Sequence, residues 1–110
     1  MQQESLIALV SQHLEAAAKA SSGRSAHTVY GGHEHALRQT LIALRAGSQL
    51  DEHQNPGEAT LQVLQGRVTL TAGDDAWSGS RGDFITIPDA IHSLEAVEDS
   101  VVLLTVALRK

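Results

Sequence analysis

Residues 47–66 read GSQLDEHQNPGEATLQVLQG: a glycine, a histidine after five intervening residues, a polar turn, then an apolar-polar run that ends at a second glycine. Gly47 closes an apolar run and permits the backbone angles of a turn. His53 is one of six histidines, a side chain that binds metals through neutral imidazole. Residues 60–64 alternate, and Gly66 opens directly onto RVTLT at 67–71, so the two runs predict antiparallel neighbours around a tight turn. Period two then divides the first run by face. With Ala59 inward, Leu61 and Val63 point inward too, while Glu58, Thr60 and Gln62 point outward.

Upstream, the pattern is helical from Glu4 to about Ala20, with Leu6, Leu9, Val10, Leu14 and Ala17 three and four apart, until Ser21, Ser22 and Gly23 stop it. This predicts an amphipathic helix laid on the rest of the fold or on a partner subunit, with His13 on its surface. Residues 26–30 are β-prone and bounded by glycines, which suits a sheet edge or pairing with a second subunit. His33 and His35, two apart, would project to one face of an extended backbone as a metal or shared polar site needs; the plainer reading is two solvated rings flanking Glu34. The run at 37–46, LRQTLIALRA, suits a core strand or a helix. On a strand Arg38 and Thr40 share a face, which is then partly polar and able to line a pocket.

Downstream of Gly66, short runs alternate with turns at even spacing: 67–72, 76–80, 83–87, 92–97 and 100–108, the pattern of a sandwich or barrel. Gly73, Asp74 and Asp75 supply hairpin chemistry, so the two aspartates are read as turn formers rather than catalytic carboxylates. Arg81-Gly82-Asp83 spells an adhesion tripeptide but is read as the turn before a strand. Pro88 ends its strand by removing a donor. The last run, SVVLLTVAL, is almost continuously apolar, as in a strand covered on both faces.

At 110 residues the chain has the size of one domain, able to bury about two thirds of its unfolded surface without staples. With no cysteine there is no disulfide, thiolate nucleophile or zinc-thiolate site. The start, MQQESLIALV, lacks a basic region and a long apolar span, so a cytoplasmic protein with no membrane partner is expected. Eight basic against thirteen acidic residues, with two lysines and no basic cluster, argue against a nucleic-acid partner on phosphate-contact grounds. Tyr30, Trp77 and Phe84 are too few for a base-stacking platform. No phosphate loop, nucleophile elbow, H-E-x-x-H pair or ordered Ser-His-Asp triad occurs.

Gly47, five residues, His53 and the glycine closing VLQG resemble the first motif of the cupin superfamily. Gly82, five residues, Pro88 and then His92 are similar to its second motif, G-x5-P-x-G-x2-H, with Ala90 for the inner glycine and one residue fewer before His92. The resemblance implies an all-β fold, a single cupin barrel (double-stranded β-helix or jelly roll) over 26–110, preceded by an N-terminal α-helix and turn over 1–25, of the small bacterial, RmlC-like type. It decides for a strand at 37–46.

The family's metal site, H-x-H with a glutamate and a later histidine, implies His53 and His92 as ligands. Asn55 stands at the second histidine position, Ala59 at the glutamate position, and Glu58 is one residue out. The resemblance implies a cavity for a small-molecule ligand lined by His53, Asn55, His92, Leu61 and Val63. It also implies at most a weakly held divalent metal (Fe, Mn, Ni, Cu or Zn) on His53, His92, Asn55 and Glu58. Three readings stay open: a small-ligand pocket, a metal-dependent enzyme of dioxygenase or isomerase type, and a non-catalytic structural or sensor module. A homodimer is expected, because an edge-prone first strand, an apolar last strand and an amphipathic helix expose more apolar surface than one small barrel covers.

Overall fold

The structure is a computed structural model describing residues 3–54 and 57–108, with backbone only at 52 and 53. Helix α1 (Leu6–Lys19) is followed by nine strands: β1 (Arg24–Tyr30), β2 (Leu37–Leu44), β3 (Gln49–His53), β4 (Gly57–Gln65), β5 (Arg67–Ala72), β6 (Asp75–Ser80), β7 (Phe84–Ile87), β8 (His92–Ala96) and β9 (Ser100–Leu108). Ser5 caps the helix, its hydroxyl accepting the Ala8 N–H at 3.2 Å. At the other end the Arg45 guanidinium donates to the carbonyls of Ala18 and Ala20, two of the acceptors that a helix C-terminus leaves open.

The strands form two antiparallel sheets, a five-stranded one in the order β1-β2-β9-β4-β7 and a four-stranded one in the order β3-β8-β5-β6. Among the described residues no strand pair links the two sheets, so the jelly roll is a sandwich rather than a closed barrel. Between the sheets lie Ile42, Leu44, Leu61, Val63, Val68, Leu70, Leu94, Ala96 and Val102. Each large aliphatic side chain buried there contributes about 1.5–3 kcal/mol of transfer free energy. A second layer lies outside the five-stranded sheet, where Leu9 and Ala17 of α1 cover Leu41, Ala43, Val101 and Leu103. Alternate residues of β2 and β9 thus face opposite cores, and the almost unbroken apolar run of β9 follows from it.

Two local expectations are overturned. Residues 60–64 and 67–71 do not pair: β4 bonds to β7 and β9, and β5 bonds to β6 and β8, in the other sheet. Gly66 therefore carries the chain across the sandwich instead of turning a hairpin. Its φ is +81°, and a Cβ there would lie 2.3 Å from the Asp99 carbonyl oxygen, so the crossing is packed against the start of β9. The buried Ser100 hydroxyl holds this corner, accepting the Arg67 N–H at 3.0 Å and reaching the carbonyls of Arg67 and Glu98. Nor do His33 and His35 share a strand face: they lie in a turn that the His35 N–H closes onto the Gly32 carbonyl at 3.1 Å.

The hairpin at Gly73 forms as read, with Ala72 opposite Asp75 across a two-residue loop. In the RGD turn, the Asp83 carboxylate accepts the Ser80 N–H at 2.8 Å, so that side chain builds the turn. His13 is part-buried rather than a plain surface residue, its Nδ1 2.7 Å from the Ser25 hydroxyl on β1. No helix among the described residues is long and apolar enough to cross a membrane.

Candidate functional site

Pro88 ends β7, and the short turn after it delivers His92 to the first position of β8. Although polar, His92 is only 2% exposed. Its Nδ1 lies 2.9 Å from the Ala90 carbonyl oxygen. A carbonyl can only accept, so Nδ1 carries the proton, and a neutral ring then presents Nε2 as an acceptor. Fixing one ring nitrogen on a carbonyl is how proteins orient an imidazole for a ligand or metal.

Beside His92 lies a cavity of about 20 Å³ between the sheets, lined by Ile42, Leu50, Leu61, Leu70, Ile87, Leu94 and Leu104. That is room for about one water molecule. Leu61 lines this cavity, while Val63, two residues on along the same face, belongs to the solid core. His53 ends β3 and is the Cα partner of His92 across β3 and β8, so the backbone sets the two motif histidines on adjoining strands. Asn55 and the side chain of His53 lie outside the described residues.

The inward and outward residues of β4 follow period two, with Gly57, Ala59, Leu61 and Val63 buried and Glu58 and Gln62 exposed. Ala59 therefore brings a methyl group to the sandwich interior at the family's carboxylate position. Glu58 faces away from His92, into an outer groove of about 400 Å³ with Thr60, Thr86, Asp89 and Thr105. Turning it inward would take a bulge, yet the register against β9 is regular from Glu58 to Val63 and shifts only beyond Val63. Strand geometry thus sets Glu58 on the face opposite the one that the resemblance would need for a ligand. Among the described residues no group of three His, Asp or Glu side chains is placed to hold a metal ion. The described donors do not fit the four-ligand set of the family.

A second concavity, about 270 Å³, opens at the β1–β2 end and is lined by Thr28, Gly32, His33, Arg38 and Thr40. Arg38 and Thr40 do share a face and line a pocket, as their spacing suggests. That Thr28 joins them depends on cross-strand register, Thr28 opposite Thr40, which no local pattern in the sequence announces. His35 turns elsewhere, its ring edge-on to Tyr30 at 4.9 Å.

No family model and no curated protein matches the sequence. Solved structures do. A cupin superfamily protein from Desulfitobacterium hafniense superposes with a TM-score of 0.79 at 17% identity, over 99% of this chain and 95% of the other. A conserved protein of unknown function from Streptococcus pyogenes gives 0.73 at 26% identity, over 83% and 79%. An RmlC-like cupin from Desulfovibrio desulfuricans gives 0.67 at 26% identity, over 76% and 81%. With the two sheets stacked in this order and both glycine motifs at their turns, the chain has the fold of a small cupin.

Proposed function

We propose that this cupin-fold protein binds a small molecule at the His92 end of the sandwich, the imidazole fixing the one small substituent that the aliphatic-walled cavity admits. A few polar groups set in an apolar concavity are the usual form of a ligand site. The observation that carries the reading is His92 itself: buried, oriented by Ala90, and the one polar side chain among the described residues lining its cavity. Since the cavity admits about one water-sized group, the ligand inserts only a small substituent, and most of it lies outside. Ligand-observed NMR with a set of small polar organic molecules tests this. Binding should be found for the wild type and be lost in His92→Ala; binding that survives undiminished in that variant would remove His92 from the site.

A metal-dependent enzyme is the second reading, favoured by the His53–His92 register and by the carbonyl-anchored ring. Ala59 in place of a carboxylate weighs against it, because a divalent cation is then left with less charge compensation. Elemental analysis of tag-free protein should return well under one metal per chain. A full equivalent, lost in both His53→Ala and His92→Ala, would put the enzyme reading first.

A homodimer belongs to the same proposal on altered grounds. Helix α1 already covers the outer face of β9, but Trp77 and Phe84, 41% and 58% exposed, leave apolar surface at the β6 and β7 edges. Light scattering that returns one chain's mass would remove the dimer.

A further inference from the structure

We propose that the cleft at the β1–β2 end binds a small oxyanion, a carboxylate or a phosphate, with Arg38 as its main contact. By alternation along β2, Arg38 and Thr40 lie on the same face of the sheet as Ile42 and Leu44, but beyond the closed core. Arg38 Nε is shielded from water and has no hydrogen-bond partner. Among the described residues the side chain makes no ion pair, although the chain carries thirteen acidic residues against eight basic ones. A guanidinium N–H left without an acceptor is costly even on a half-buried side chain, which favours an acceptor brought from outside.

The lining supplies what an anion needs. Arg38 can only donate, Thr28 and Thr40 bring hydroxyls, His33 brings an imidazole, and among the described residues no carboxylate lines the cleft. Glu34, next to His33 in sequence, is exposed and takes no part in the lining. Gly31 positions the arginine: a Cβ there would lie 3.1–3.3 Å from Arg38 Cγ, Cα and Cβ, so the bare glycine lets the chain after β1 lie against the start of that side chain. About 270 Å³ is near the lower end of ligand-pocket sizes, which suits a small anion rather than a nucleotide. A planar guanidinium meets carboxylate and phosphate oxygens alike through paired N–H donors, so the geometry names the shared chemistry.

The site does not need His92, and it is tested apart from the cavity. In the wild-type protein, the NMR signal of the Arg38 Nε–H, assigned by its disappearance in Arg38→Lys, is followed while inorganic phosphate and, separately, succinate are added. The expected result is a saturable shift with at least one probe, the tighter probe telling phosphate from carboxylate. In calorimetry, Arg38→Gln should weaken that probe about tenfold or more. Arg81→Gln, which removes the same charge from the distant RGD turn, should leave the affinity unchanged. An Nε–H signal unmoved by millimolar concentrations of both probes would overturn the proposal, as would equal weakening in the two arginine variants. Should Arg38→Gln fail to fold, the wild-type titration decides alone.

Discussion

Within β2, residues 37–40 stay exposed or half-exposed, whereas residues 41–44 are all buried. Hydrogen bonding does not separate them, because β9 runs alongside the whole strand from Leu37 to Leu44. Cover does. At 41–44 the helix closes the outer face and the four-stranded sheet closes the inner one; at 37–40 both covers run out, leaving Leu37 and Gln39 near the helix start and Arg38 and Thr40 on the cleft. One strand thus serves stability at one end and polar chemistry at the other. The sequence marks the change, from LRQT to LIAL.

The covered half should break hardest. Leu44, fully buried between the sheets, should lose about 2–5 kcal/mol when cut to alanine, from the transfer and cavity terms together. Thr40→Val, in the open half, should stay within about 1 kcal/mol of the wild type. Urea denaturation of the two variants measures the difference directly. Comparable losses would mean that the open half is packed as tightly as the closed one.

The turns sharpen the same comparison. Gly66 and Gly82 both have positive φ, +81° and +91°, but a side chain at Gly82 would enter open space, while one at Gly66 would strike the Asp99 carbonyl and Ser100. Gly82→Ala should cost about 1–2 kcal/mol for the backbone alone. Gly66→Ala adds an overpacking cost and should lose about 2–4 kcal/mol. Thermal melts that rank the two the other way would show that the Gly66 corner relaxes freely.

These contrasts also mark what the residues disclose without coordinates. The helix was legible because Leu6, Leu9, Val10 and Leu14 repeat at three and four, and the later strands because Gly73 and Pro88 interrupt apolar runs at even spacing. The inward set of β4 followed from period two. Sheet membership was not legible: a glycine between two β-prone runs permits either a hairpin or a crossing, and the contacts of Gly66 with Asp99 and Ser100, far along the chain, decide for the crossing. The candidate sites divide in the same way. The two motifs pointed to His92, and β2 spacing pointed to Arg38, but the register that brings Thr28 opposite Thr40 includes a shift between Thr28 and Tyr30 that no local pattern specifies.

The smallest expected effect tests the face assignment on which the metal question turns. Glu58 is exposed on the outer face of β4, in a regular register, while Ala59 beside it is buried on the inner face. Glu58→Gln should therefore change stability by no more than about 0.5 kcal/mol, as for surface sites generally. It should also leave any uptake of added Mn²⁺ or Zn²⁺ unaltered, because a carboxylate directed away from His92 cannot share a cation with it. Ala59→Glu is the informative partner. It would place a carboxylate on the inner face, where the family pattern has one, and should raise divalent-metal affinity if His53 and His92 converge, though burying a carboxylate would lower the stability of the metal-free protein. Calorimetric titration of both variants separates the faces: metal uptake that falls with Glu58→Gln and does not rise with Ala59→Glu would show that β4 presents Glu58, not Ala59, to the sandwich interior.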